Sequence, residues 1–154
     1  HALLSAMTTG PSAVEPGGDM TYASLAARCR SIGVRDAQVD LYRRMVFNAL
    51  IGNTDDHLRN HGLIFDGQWR LAPAFDLVST GGNKLALGAG PEGRERTMRN
   101  ILLAAGQFDI KQDHARQIVD EIGAAAGQLP DLLDKLGMPA GEIGQVIKRM
   151  ALPT

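Results

Sequence analysis

A single cysteine, Cys29, rules out an internal disulfide framework. It lies in an apolar stretch that reads as helical, which makes it a small core residue. Aromatic side chains are scarce, at 5% of the chain, so aliphatic and small residues must build the core. Neither sign of charge is in excess: the formal net charge is −1, and no electrostatic case for nucleic-acid or membrane binding follows. The basic groups Arg43 with Arg44, and Arg94 with Arg96 around Glu95, read as solvated faces. No apolar run approaches the roughly 18 residues a helix needs to cross a bilayer, and no signal peptide is visible; a cytoplasmic protein is expected. Methionine does not open the chain, His1 does, as expected of a piece of a longer polypeptide. The 154 residues suit one domain, or one lobe of a larger one, with a real core.

What is present is concentrated in the eight residues Asn53 to Asn60, which follow the apolar run Met45 to Ile51. They carry two carboxylates, an imidazole, a guanidinium and the amides of Asn53 and Asn60. Ionisable groups are costly to desolvate and contribute little to packing, so stability alone rarely explains such a cluster. The competing reading is a solvated helix-to-strand loop in which Asn, Thr and Asp supply turn chemistry. Spacing favours chemistry. Kinase-type phosphoryl transfer needs a carboxylate to take the acceptor hydroxyl's proton, an amide shortly after it for magnesium, and a second carboxylate further on to clamp the metal against the phosphates. The catalytic loop of protein kinases places its Asn five positions after its Asp. Asn60 stands five after Asp55, and Asp76 follows beyond what reads as a hairpin.

Asn53-Thr54-Asp55-Asp56-His57-Leu58-Arg59-Asn60, followed by Leu71-Ala72-Pro73-Ala74-Phe75-Asp76-Leu77, resembles the catalytic core of HipA-type serine/threonine kinases, the toxins of bacterial toxin–antitoxin pairs. The Asp-x-His-x-x-Asn spacing is also similar to that of phosphoinositide-type lipid kinases. The resemblance runs from about Thr21 to Met150. It implies a mostly α fold, the helical C-terminal lobe of a protein-kinase-like architecture, with one small β-hairpin carrying the catalytic and metal loops. Residues 1–20 are then a lead-in and flexible loop, and residues 21–154 the lobe, the N-terminal ATP-binding lobe lying outside this chain. The function implied is an ATP- and Mg2+-dependent serine/threonine protein kinase. Its glycine loop, strand lysine and adenine hinge would precede His1. Lys84, Lys111, Lys135 and Lys148 all follow the motif and cannot stand in by order. The chain alone is therefore expected to lack turnover.

On this reading Asp55 is the catalytic base, with Asp56 competing for the role, and Asn60 and Asp76 bind magnesium. His57 approaches the nucleotide phosphates or is hydrogen-bonded within the loop; Phe75 touches nucleotide or is an ordinary core residue. Arg59 stabilises phosphate charge or pairs with Asp56 at the surface, and Asn53 and Thr54 shape the loop. Implied partners are a protein substrate bearing a Ser or Thr hydroxyl, in HipA-type systems a translation-related target, and a HipB-like helix-turn-helix antitoxin. Phe-Asp-Leu replaces the protein kinases' Asp-Phe-Gly, so an activation-loop switch of that sort is in doubt. Two other classes remain open: a metal-dependent phosphohydrolase or nuclease using Asp55, Asp56, His57 and Asp76, and a non-catalytic protein-binding helical module.

Along the chain, His1 to Thr9 reads as a short helix or irregular lead-in and Gly10 to Asp19 as a loop. Thr21 caps a helix ending near Arg30, with Gly33 beyond it. Asp36 caps a longer helix, whose stripe Leu41, Tyr42, Met45, Val46, Ala49 and Leu50 is buried and which Gly52 closes. Asp66-Gly67 turns a hairpin between residues 62–65 and 68–71, with Trp69 as a packing aromatic and Pro73 as a stop. Gly88 to Gly93 satisfies G-x-G-x-x-G, but Pro91 and its place after Asp76 argue for a flexible surface segment. Thr97 and Asp113 cap two further helices. Leu132, Leu133 and Leu136, then Ile143, Val146, Ile147 and Met150, read as core stripes of two more.

Overall fold

The computed structural model of the chain describes residues 2–5 and 20–153. The expected loop over Gly10 to Asp19 lies outside the described residues.

Helix α1 (Tyr22–Ser31) starts where the sequence puts a cap. Thr21 Oγ1 accepts from the Ser24 N–H at 3.0 Å, and Ser24 Oγ accepts from the Thr21 N–H at 3.1 Å, a reciprocal capping box. Helix α2 (Ala37–Ile51) is the central element. Its residues Leu41, Tyr42, Met45, Val46 and Ala49 are fully buried, and each large apolar side chain among them contributes about 1.5–3 kcal/mol of transfer free energy. Tyr42 adds a hydrogen bond to the Ile101 carbonyl at 3.0 Å and an edge-on contact with Phe108. Cys29 is buried as expected, and burial pushes its thiol up to about 11, so it is an inert core group. Asp36 stands at the N-cap, but its side chain caps nothing: its backbone is left-handed (φ 55°), whereas a side-chain cap needs the extended region.

The hairpin forms as the Asp66-Gly67 pair demands. Strands β2 (Gly62–Phe65) and β3 (Trp69–Leu71) pair antiparallel, with Gly67 at φ 96° in the turn and Trp69 packed on Phe65 at 5.0 Å. It is not a lone hairpin. Residues Ala2–Ser5, expected as a helix or irregular lead-in, form strand β1 and pair antiparallel with β2, which becomes the middle of a three-stranded sheet. A lone hairpin would leave the outer edge of β2 unpaired, and β1 fills that edge.

Helices α3 (Met98–Ala104), α4 (Gln112–Ala126), α5 (Leu129–Lys135) and α6 (Ala140–Met150) complete the fold. Thr97 caps α3 through the Asn100 N–H. Lys111, not Asp113, is the N-cap residue of α4; Asp113 lies in the first turn, where its charge suits the helix dipole. The last two helices are less buried than their stripes imply. No residue of α5 is buried, Leu136 is 74% exposed, and only Ile143 of α6 is buried, because α6 packs against α2 and α5 lies chiefly against α6.

Three further expectations change. The Gly88 to Gly93 segment is only half at the surface: Pro91, Glu92 and Gly93 are exposed, but Gly88 and Ala89 are buried, and a Cβ on Gly88 would lie 2.7 Å from Thr21 Cγ2. Its backbone donors are all spent inside the protein. Gly88 donates to Met20 O, Ala89 and Gly90 to Gly93 O, Gly93 to Gly90 O, and Glu92 to Asn100 Oδ1. With Pro91 carrying no N–H, none remains for a phosphate. Arg44 is half-buried and donates to Ala72 O at 2.7 Å. Arg96 is 2% exposed and satisfies four backbone carbonyls, so neither arginine is a solvated face.

Candidate active site

Helix α2 delivers the chain into residues 53–60 through a tight exit. Gly52 adopts φ 70°, and a Cβ there would fall 2.2 Å from Arg149 O at the end of α6, so only glycine passes. A ring of hydrogen bonds then closes beneath the loop. The Asp55 N–H donates to Asn53 Oδ1 (3.2 Å), Asn53 Nδ2 to Asn48 Oδ1 (3.1 Å), Asn48 Nδ2 to Tyr22 Oη (2.7 Å), and the Tyr22 hydroxyl to Asp56 Oδ2 (2.5 Å). The Ala86 N–H occupies the other Asp56 oxygen at 2.6 Å. Tyr22, Asn48, Asn53 and Asp56 are all at most 2% exposed. Every donor points the same way, towards the Asp56 carboxylate, so each bond polarises the next.

This ring sorts the two neighbouring carboxylates. Asp56 is turned inward with both oxygens committed, while the Asp55 side chain is 69% exposed. Burial pushes Asp56 above the usual carboxylate range, against the pull of the Tyr22 and Ala86 hydrogen bonds. The Tyr22 phenol is raised well above its ordinary value, by burial first and the Asp56 charge second, so its proton stays available to the carboxylate. Arg59 is exposed and does not pair with Asp56, whose acceptors are already taken.

Asn60 is 8% exposed, and its Nδ2 donates to the Asp55 backbone carbonyl at 3.0 Å. That bond fixes the amide's orientation and leaves Oδ1 without a partner among the described residues. His57 Nε2 lies 3.9 Å from Asp55 Oδ1, and its buried Nδ1 has no partner, so the expected hydrogen bond within the loop is not made by that nitrogen. The next histidine, His61, is fully buried edge-on against Tyr22 at 5.4 Å. Burial, reinforced by the Arg44 charge, pushes it down to about 4, so it is a neutral packing ring near neutral pH.

Phe75 is 43% exposed, which overturns its reading as a core residue, and Asp76 beside it is exposed with a left-handed backbone at φ 57°. Asp76 has no hydrogen bond or ion pair to Asp55 or Asn60. Its segment is nonetheless tied down at both ends, to β2 on one side and to the end of α2 on the other. The Ala72 N–H donates to Gly62 O (2.8 Å), and the Thr80 and Gly81 N–H groups both donate to Gly52 O (3.0 and 2.8 Å). Asp76 is four residues from either anchor, which confines it to within about 14 Å of each. Among the described residues, no three His, Cys, Asp or Glu side chains gather into a metal-sized cluster. The carboxylate–histidine site of a two-metal hydrolase is therefore not assembled here.

The side chains that the expected metal site would use are oxygen donors. Asn60 Oδ1 and the exposed carboxylates of Asp55 and Asp76 are oxygen ligands of the kind magnesium takes. Sequence reasoning missed Tyr22, Asn48, His61, Ala86 and Thr80. The one signal available was Asn48, a polar residue inside the apolar stripe of α2.

Comparison with known proteins identifies the family. The model of the HipA-like C-terminal domain matches residues 3–129. A chain in the Shewanella oneidensis MR-1 toxin–antitoxin complex of HipA, HipB and operator DNA has a TM-score of 0.63 to this one. The two are 17% identical, and the match covers 92% of this chain and 38% of that one. At that identity the likeness speaks for the fold. The "Putative kinase Y4dM" of Sinorhizobium fredii is 43% identical over 56 residues, 33% of this chain and 14% of its own length. The chain thus spans well under half the length of these relatives. The family expected from the two motifs is the family found: this chain belongs to the HipA-like C-terminal domain family.

Proposed function

We propose that this domain is the catalytic C-terminal lobe of an ATP- and Mg2+-dependent serine/threonine protein kinase of the HipA toxin type, acting within a longer polypeptide. The observation that carries the reading is the division of labour between adjacent carboxylates, Asp56 locked inward by Tyr22 and Ala86 and Asp55 left 69% exposed next to an oriented Asn60. Asp55 takes the proton of the substrate hydroxyl as the hydroxyl oxygen attacks the γ-phosphorus and the bond from that phosphorus to the bridging oxygen breaks, with ADP leaving. Asn60 Oδ1 and the Asp76 carboxylate would hold magnesium, which when bound would neutralise phosphate charge. His57, with its unpartnered ring nitrogen, faces the nucleotide phosphates, and the exposed Phe75 ring contacts the nucleotide. The substrate is a protein presenting a Ser or Thr hydroxyl. HipB accompanies HipA in the Shewanella complex, and a HipB-like antitoxin is the partner we propose here.

Two outcomes test this. In the full-length protein, Asp76→Asn is expected to weaken Mg·ATP binding by about tenfold or more, a loss of about 1.4 kcal/mol or more. Titration calorimetry showing wild-type affinity would remove Asp76 from the metal site. The isolated 154-residue chain is expected to show no measurable ATP turnover. It has no lysine before residue 84 to pair with the phosphates, and losing even one group that stabilises transition-state charge costs about 10²–10³ in rate. Robust autophosphorylation by the isolated chain would overturn the two-lobe reading.

A further inference from the structure

Residues 73–78, which contain Asp76, make no backbone hydrogen bond among the described residues, and Asp76 itself takes the left-handed conformation. A non-glycine residue held there costs on the order of 1–3 kcal/mol and persists only where its surroundings enforce it. The position of this carboxylate is therefore set by the two ends of the stretch, not by the stretch itself. The Ala72 end is pinned to β2 and to Arg44. The other end is held to Gly52 by the Thr80 and Gly81 N–H groups and to the catalytic loop by side chains. Thr80 Oγ1 accepts from the Thr54 N–H at 2.9 Å and lies 2.8 Å from Thr54 Oγ1, which also reaches Gly81 O at 2.8 Å. Thr80 Oγ1 is in turn 3.2 Å from Gly52 O. Arg149 adds a bond from Nη1 to Ser79 O.

Thr54 precedes Asp55, and Thr80 follows Asp76 by four residues. The two hydroxyls thus join the segment that carries the base to the segment that carries the second carboxylate. Neither threonine is in the core, since Thr80 is exposed and Thr54 half-buried, so packing does not require them to meet. We infer that the Thr54–Thr80 hydroxyl clasp sets the position of Asp76 relative to the catalytic loop, and that Thr80 is a positioning residue for Mg·ATP. This rests on the kinase reading of Asp55, Asn60 and Asp76.

The test is Mg·ATP affinity in the full-length protein, measured by titration calorimetry alongside thermal melting. Thr80→Val keeps the shape and removes the hydroxyl. It is expected to raise the Kd about tenfold, the equivalent of one lost hydrogen bond, with little change in melting temperature. Thr80→Ser restores the hydroxyl and is expected to bind within about twofold of wild type, which a purely steric role for the threonine methyl would not allow. Thr54→Val removes the hydroxyl–hydroxyl contact and the bond to Gly81 O but keeps the Thr54 N–H bond to Thr80 Oγ1, and is expected to raise the Kd by less than Thr80→Val. Wild-type affinity in Thr80→Val and Thr54→Val, with weakened affinity in Asp76→Asn, overturns the clasp and leaves the kinase reading standing. Wild-type affinity in all three overturns the kinase reading as well.

Discussion

In the full-length protein, Asp55→Asn is expected to abolish phosphotransfer, with a loss of at least about 10²–10⁴ in kcat, the range a positioned general base supplies. The same substitution should leave the melting temperature almost unchanged. The Asp55 side chain is largely solvent-exposed, and its 3.9 Å approach to His57 is too long to be a strong bond. What Asp55 gives to the fold is its backbone, the N–H to Asn53 and the carbonyl to Asn60, and Asn at position 55 keeps both. Asp56→Asn is expected to do the reverse. Its carboxylate accepts from the Tyr22 hydroxyl and the Ala86 N–H at once. An amide offers one oxygen and one nitrogen, so one of those two donors loses its acceptor. The cost is about 1–3 kcal/mol, the usual penalty for a buried polar group left unpaired. Melting should therefore fall by several degrees while activity per folded molecule stays within about tenfold of wild type. Thermal melts paired with phosphotransfer assays separate the two residues. Wild-type activity in Asp55→Asn with complete loss in Asp56→Asn would transfer the base to Asp56.

That contrast also measures how far the sequence could be read. Local rules worked where local physics decides. Thr21 and Thr97 cap helices because a hydroxyl reaches an orphan N–H two or three residues on, and Asp66-Gly67 turns a hairpin because glycine accepts φ 96°. The family was legible too, because Asp55, Asn60 and Asp76 keep a spacing that ordinary loops have no reason to keep. Where contacts span many residues, the sequence was silent. The Tyr22 hydroxyl meets Asp56 across 34 positions, and Thr54 meets Thr80 across 26. Nothing local sets Tyr22 apart from any helical aromatic beside an N-cap. Composition misled at the glycines and arginines. Gly88 and Gly90 are small because Thr21 and Asn100 press against them, and the same letters would suit a flexible loop.

Arg96 is the clearest case of a hidden role, and the largest stability effect in the chain is expected there. Three of its nitrogens donate to four carbonyls: Nε to Gly82 O (2.8 Å), Nη1 to Ala49 O (2.6 Å), and Nη2 to Arg149 O (3.2 Å) and Ala151 O (2.7 Å). Ala49 lies in the last turn of α2, and Arg149 and Ala151 flank the end of α6. One guanidinium thus satisfies carbonyls at two helix C-termini, where partial negative charge collects, and joins both to the backbone just beyond the Thr80 clasp. Burial lowers its pKa, yet the planar fork with four acceptors keeps the cation in place. Arg96→Ala strands those carbonyls in a site that was 2% exposed. Even with water entering, the loss should reach about 3–5 kcal/mol, or about 10 °C in melting temperature for a chain of this size. Arg96→Lys keeps the charge but not the fork and should recover less than half of it. Urea titration of the three proteins measures the difference, and a loss below about 1 kcal/mol in Arg96→Ala would mean that α2 and α6 are held together by packing alone.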